Sequence, residues 1–263
     1  MSDYNLFSWV NENEKESSFD YWNNEEIEKN KVFSIENDKS FEKLDKHKHL
    51  NDIYFEINKL IKKEKIDFND KNILSLGCGT AYIEGKVLQN YNFKKLTLVD
   101  FSKHRILSLA PKTINYFIND VSKINFIHGS MYELKMKDHS LDIIILSQSF
   151  HHVEEPLRLL RSMKRKLKPE GIIIIVEPYF NNISFIKHYM IHLGKFLLNH
   201  KNYRKYHSFL PSYNDLFPPC LIKGDIHYSS YDYHIMFNKY NFNYINIISP
   251  SKNIQTFLLK NNS

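Results

Sequence analysis

The sequence predicts an α/β fold: a doubly wound, seven-stranded sheet, mostly parallel, with an antiparallel C-terminal edge strand and a helical cap. Three observations carry that prediction. Short apolar runs alternate with helical patterns between Ile73 and Pro178. Runs such as Ile143-Ile144-Ile145 and Ile172 to Val176 are apolar on both faces, as strands buried inside a parallel sheet must be. Two further β-like runs close the chain across Pro250-Ser251-Lys252, which reads as an antiparallel hairpin at one sheet edge.

In order, residues 1–65 make an N-terminal arm and cap helix. The arm (1–45) is polar and acidic, with isolated aromatics Phe7, Trp9, Phe19, Tyr21 and Trp22. From Phe41 to Lys65, Leu50, Ile53, Tyr54, Ile57, Leu60 and Ile61 recur at three and four, predicting a helix with one face on a core. Residues 66–181 hold the core: strands at 73–76, 96–99, 124–128, 141–147 and 171–178, with helices at 81–90, 102–118 and 154–167. Pro111 should kink the second of these helices. Residues 182–228 are an insertion with a basic amphipathic stretch and Pro218-Pro219. Residues 229–263 return to the core with a helix over 229–240 and strands at 242–249 and 253–260.

At 263 residues the chain supports one sizeable core with decorations. The net charge of +6 permits an anionic partner without demanding one, since the Lys excess is spread along the whole chain. Cys78 and Cys220 stand alone, which excludes a disulfide framework and a Cys-rich zinc site. The N-terminus has no apolar core of a secretory signal, and no segment nears the roughly 18 apolar residues of a membrane span. The expected compartment is the cytoplasm.

In an open parallel sheet, ligands sit outside the carboxyl ends of the strands. After the first strand come Gly77-Cys78-Gly79-Thr80-Ala81. Glycines there let the backbone turn tightly and a ligand approach, and the following helix start offers free N–H groups. Asp100 ends the second strand about twenty residues on, where a carboxylate can accept both ribose hydroxyls of an adenosine. It could equally cap the next helix, although Ser102 also offers itself for that. A dinucleotide fingerprint wants a third glycine where Tyr82 stands, and no Gly-Lys-Ser/Thr follows for a nucleoside triphosphate. An adenosine ligand without a pyrophosphate remains.

ILSLGCGTA, LVDFS, FIHGSMYEL and LDIIILSQSFHHVEEPLRLLRSMKRKLKPEGIIIIVEP, in that order, resemble class I S-adenosylmethionine-dependent methyltransferases with a Rossmann-like core. The similarity is to the methyltransferase type 11-like branch that serves small molecules, and it covers roughly residues 70–180. It implies S-adenosylmethionine as cofactor and S-adenosylhomocysteine as product. It places the methionine moiety along Gly77, Cys78 and Gly79, the ribose on Asp100 and the adenine against Phe101. Where the family has an Asp for the adenine amine, this chain has Ser130; its hydroxyl, or the backbone of Met131, then takes that part. Ser147 and Gln148 face the methionine end. Cys78 reads as a small turn residue, not a nucleophile. His151, His152 and Glu177 are the candidates for proton transfer, each with a structural alternative: packing for the histidines and anchoring of the insertion for Glu177. No metal is expected.

The expected function is methyl transfer to a small-molecule acceptor, an oxygen of a glycan, lipid-linked or secondary-metabolite substrate. The alternatives are an RNA or tRNA methyltransferase and a non-catalytic cofactor-binding regulatory protein; no nucleic-acid partner is expected under the main reading. In the insertion, aromatic residues from Phe185 to Tyr213 interleave with Lys187, Lys195, Lys201, Arg204 and Lys205. That pattern fits a lid over the acceptor, a basic face through 183–207 resting on a membrane or glycolipid, or a helix whose apolar stripe is simply core.

Overall fold

The computed structural model describes residues 5–9, 38–132, 134–179, 182–205, 209–210, 226 and 228–261. Phe19, Tyr21, Trp22, Tyr213, Pro218, Pro219 and Cys220, named above, lie outside the described residues, as does the side chain of Phe185. The strands are β1 (Asn5–Ser8), β2 (Asn72–Leu76), β3 (Lys95–Asp100), β4 (Ile124–His128), β5 (Leu141–Ser147), β6 (Leu167–Pro178), β7 (Phe242–Ser249) and β8 (Ile254–Asn261). They form one eight-stranded sheet in the order β1-β4-β3-β2-β5-β6-β8-β7.

The doubly wound reading holds, with two differences in detail. The sheet has an eighth strand, because β1 pairs in parallel with β4, Asn5 opposite Asn125 and Ser8 opposite His128. All four β1 residues are exposed, so backbone bonds to an open edge hold it and no apolar alternation announces it. Trp9 extends the ladder, its N–H donating to His128 O at 2.8 Å. The second difference concerns the antiparallel strand. β8 is antiparallel to both β6 and β7 and lies between them, leaving β7 at the edge. Burial explains the order: β8 is buried along nearly its whole length, whereas the middle of β7 is half-exposed.

Helices α1 (Asp38–Asp45), α2 (Lys48–Glu64) and α3 (Tyr82–Leu88) cover one sheet face together with α4 (Ala110–Phe117). The other face is packed by α5 (Pro156–Lys166) and α7 (Ser230–Lys239). α6 (Asn182–Leu197) begins just past β6. α2 buries Ile53, Ile57, Leu60 and Ile61, worth about 1.5–3 kcal/mol each relative to exposure. The single helix expected over 41–65 is in fact two, broken at Lys46-His47, where the His47 N–H donates to Leu44 O and α2 restarts.

Before Pro111 the chain takes a π-helical turn over Arg105–Leu109, the Ala110 N–H reaching back to Arg105 O. Proline cannot donate, and its ring crowds the carbonyl four residues back; the wider turn accommodates this. α7 starts on a capping box, Ser229 with Asp232, which satisfies N–H groups that a helix start otherwise leaves open. The result brings the ends of β2, β3, β4, β5 and β6 to one edge.

Candidate functional site

The turn after β2 is tied to the strand beside it. Gly77 and Cys78 both donate N–H to Val99 O, at 2.8 and 3.2 Å. Gly77 (φ 65°) and Gly79 (φ 56°) lie in the left-handed region, which favours glycine. A Cβ on Gly77 would lie 2.5 Å from Ser149 Cβ and 3.6 Å from Met131 Sδ. The turn is therefore wedged between the segments after β4 and β5. At Gly79 the nearest atom to such a Cβ is Arg105 Nη1 at 3.7 Å, so the space over that glycine stays open. Ala81, which ends the turn, is itself left-handed (φ 56°). Tyr82, whose bulk argued against a dinucleotide, is buried; its hydroxyl donates to Asp45 Oδ1 at 2.5 Å, and Lys86 Nζ reaches the same oxygen at 2.7 Å. It fastens the cap to the core.

Asp100 serves the turn and the next segment at once. Its Oδ2 accepts the Gly79 N–H at 2.6 Å and its Oδ1 accepts the Ser102 N–H at 2.8 Å. Ser102 in turn caps the following turn, its Oγ accepting from the Arg105 N–H at 3.3 Å. Asp100 thus ties the glycine turn to the start of the next helical segment. Phe101 is largely buried, and its carbonyl lies 3.1 Å from His128 Nε2. Burial pushes the His128 pKa below its ordinary value, so the ring is neutral and Nε2–H is the donor. Ser130 and Met131 follow β4, both largely buried, and Ser130 Oγ accepts the Tyr132 N–H at 3.1 Å.

Beneath the turn lies a group that the sequence reading missed. Glu84, on α3, is buried and accepts a hydrogen bond from Ser75 Oγ at 2.7 Å. Burial raises its pKa to about 7. The available signal was Ser75 inside the apolar run ILSL, with Glu84 nine residues on in YIEGKVL. Burial, and then the neighbouring Asp100 and Glu84, push the Cys78 thiol well above its ordinary pKa, so it stays protonated and a poor nucleophile.

At the end of β5, Ser147 is half-buried, and Gln148 turns left-handed (φ 55°) with its N–H on Val176 O at 2.8 Å. Its side-chain amide donates to the same carbonyl at 3.2 Å and also meets His49 of α2. His49 is a second residue missed from sequence. Desolvation lowers its pKa, and nothing local in KHLND marks it for the site.

Glu177 is fully buried at the end of β6. Its Oε1 accepts the N–H groups of Ser149 and Phe150 at 3.0 and 2.8 Å, and its Oε2 lies 2.5 Å from His151 Nδ1. The His152 ring lies tilted against that of His151, centroids 4.0 Å apart. All twelve residues singled out from the sequence gather at one sheet edge, Glu177 behind His151. The donor set suits an adenosyl sulfonium: a carboxylate for a diol, an open backbone over Gly79, a protonated thiol and no lysine clamp for phosphate.

Comparison with known proteins decides the class. The methyltransferase domain family matches residues 74–175. Residues 74–175 are an S-adenosylmethionine-dependent methyltransferase domain. It is similar to the demethylmenaquinone methyltransferase of Listeria monocytogenes, 26% identical over 189 residues, 68% of this chain and 73% of that one. It is also similar to the ubiquinone biosynthesis O-methyltransferase of Rickettsia bellii, 30% identical over 124 residues, 45% of this chain and 48% of that one. Among solved structures, the methyltransferase resembles a SAM-dependent methyltransferase from Aquifex aeolicus (TM-score 0.51, 14% identity, 77% of this chain and 88% of the other). It likewise resembles YcgJ from Bacillus subtilis (TM-score 0.55, 13% identity, 82% and 100%). These two likenesses speak to the fold alone. No helix among the described residues is long and apolar enough to cross a membrane.

Proposed function

We propose that this methyltransferase methylates an oxygen of a small-molecule acceptor, a glycan, lipid-linked or secondary-metabolite hydroxyl, with His151 as the general base. The observation that carries the reading is the 2.5 Å contact between His151 Nδ1 and the buried Glu177 Oε2. A carboxylate on Nδ1 fixes the tautomer and ring orientation, so proton uptake falls to Nε2. Glu177 is a positioning residue in this reading, and His152 restrains the His151 ring from its side. The relatives named for menaquinone and ubiquinone biosynthesis support a small acceptor.

The cofactor residues in this reading are Gly77, Cys78 and Gly79 for the methionine moiety, Asp100 for the ribose, and Phe101, Ser130 and Met131 for the adenine. Ser147 and Gln148 take the methyl end, with His49 steadying Gln148. When bound, S-adenosylmethionine supplies a methyl group on a sulfonium, already a strong electrophile. The chain's own task is alignment and proton removal: the turn and Asp100 fix the donor, and His151 takes the hydroxyl proton as the acceptor oxygen approaches. The segments 1–65 and 182–228 are assigned to the acceptor side, where parts appended to a shared core set the substrate.

The test is turnover with S-adenosylmethionine and a panel of phenolic, hydroxyquinone and glycosidic acceptors beside bulk tRNA, read as S-adenosylhomocysteine formed. Product is expected from hydroxyl-bearing small molecules. Product from tRNA alone, lost steeply as salt rises, would overturn the reading.

A further inference from the structure

Between Glu177 and Asp215 the sequence holds no acidic residue, while Lys187, Lys195, Lys201, Arg204 and Lys205 fall within it. Among the described residues of this stretch, a helix is closed by the turn that follows it. α6 ends against the short turn His200–Lys205, which reverses through left-handed Lys201 and Asn202. Arg204 then closes the helix end: its Nε donates to Phe196 O at 2.6 Å and its Nη2 to Leu197 O at 2.5 Å. Tyr203 packs on His192, ring centroids 5.4 Å apart, with 3.1 Å between His192 Nδ1 and the hydroxyl. The carbonyls that a helix C-terminus leaves open are thus partly satisfied from within, and α6 packs chiefly on its own following turn.

What the unit presents outward is unusual for a surface helix. Ile186, Met190 and Leu197, spaced to share one stripe, are 60%, 59% and 57% exposed, and Leu198 beside them is 83% exposed. Ile191 and the adjoining Phe209 and Leu210 are exposed as well, and Phe209 seats its ring edge-on against Phe196 at 5.7 Å. At 100° per residue the open half of the helix carries these apolar side chains with Lys187 and Lys195 among them. His192 and Phe196 occupy the other half, His192 buried and Phe196 partly so.

We propose that the α6 unit is a membrane-surface contact that lays its apolar stripe into an anionic lipid interface. Charge chooses this occupant over a second copy of the chain. An isologous contact would set Lys187 and Lys195 against their own counterparts with no acid in the stretch to offset them. An anionic leaflet meets the cations while its acyl boundary takes the apolar stripe, and the lysine stems can reach up to the headgroups. In the chain the unit comes four residues after β6.

Flotation of the full chain with vesicles tests this, comparing phosphatidylglycerol–phosphatidylcholine with phosphatidylcholine alone. Binding to the anionic vesicles is expected, weakened by salt and falling roughly fivefold for each lysine removed in Lys187→Gln and Lys195→Gln. Ile186→Ser with Met190→Ser should release the protein from the anionic vesicles while S-adenosylhomocysteine affinity and melting temperature stay as in the wild type. Absence of wild-type binding to anionic vesicles, or equal binding to both compositions, overturns the proposal. So does a dimer in light scattering that Met190→Ser dissociates without any change in flotation. The wild-type comparison decides the question even where a variant fails to fold.

Discussion

Glu177 holds His151 from behind: its Oε2 lies 2.5 Å from the imidazole Nδ1 while its Oε1 accepts the backbone N–H groups of Ser149 and Phe150. One buried carboxylate therefore fixes both the loop after β5 and the ring carried on it. An unpaired buried carboxylate would be costly. Here three donors share it.

The pair predicts a separation of kcat from cofactor affinity. His151→Gln should lower kcat by about 10²–10⁴-fold, the range for losing a general base, and remove the acid limb of the pH–rate profile. Glu177→Gln should lower kcat less and also alter that profile, which a purely structural role would not do. S-Adenosylhomocysteine affinity should change little in either variant. Steady-state kinetics over pH, beside a binding titration, check this.

Glu84 predicts a pH-dependent stability. Its folded pKa of about 7 stands above the ordinary 4.5, so the fold prefers the protonated form. The associated stability is fully present below 4.5, declines as pH rises through the interval, and is lost above about 7. Glu84→Gln should therefore stabilise the protein by roughly 1–3 kcal/mol at pH 8 and by little near pH 5. Urea denaturation at the two pH values reads the difference.

The cap clamp predicts a graded loss. Tyr82→Phe removes one hydrogen bond to Asp45 and should cost about 1 kcal/mol. Asp45→Ala removes the Lys86 bond as well and should cost more. Equal effects of the two in denaturant titrations would show that the Lys86 bond adds nothing, and no loss in Tyr82→Phe would show that Tyr82 acts by packing alone.

Much of this was legible beforehand because the decisive residues lie in short runs with strong patterns. Ile143 to Ile145 and Ile172 to Val176 are apolar on both faces, and burial on both faces follows. The glycine turn and Asp100 each end a strand, which is where a parallel sheet delivers them to one edge. What stayed hidden was pairing across distance. β1 is held by backbone bonds to an edge, so its side chains carry no periodic signal. His49 meets Gln148 from a helix whose sequence is shaped by core packing, and Glu84 finds Ser75 only once α3 folds back over β2. The order of β7 and β8 depended on comparing two burial patterns, which the apolar count of each strand alone did not separate.

The central claim is that the turn Gly77–Gly79 and Asp100 hold S-adenosylmethionine. Isothermal titration of S-adenosylhomocysteine into the wild type and Asp100→Ala tests it most directly. Saturable binding to the wild type that Asp100→Ala abolishes is the predicted result; undiminished binding to the variant would contradict the account.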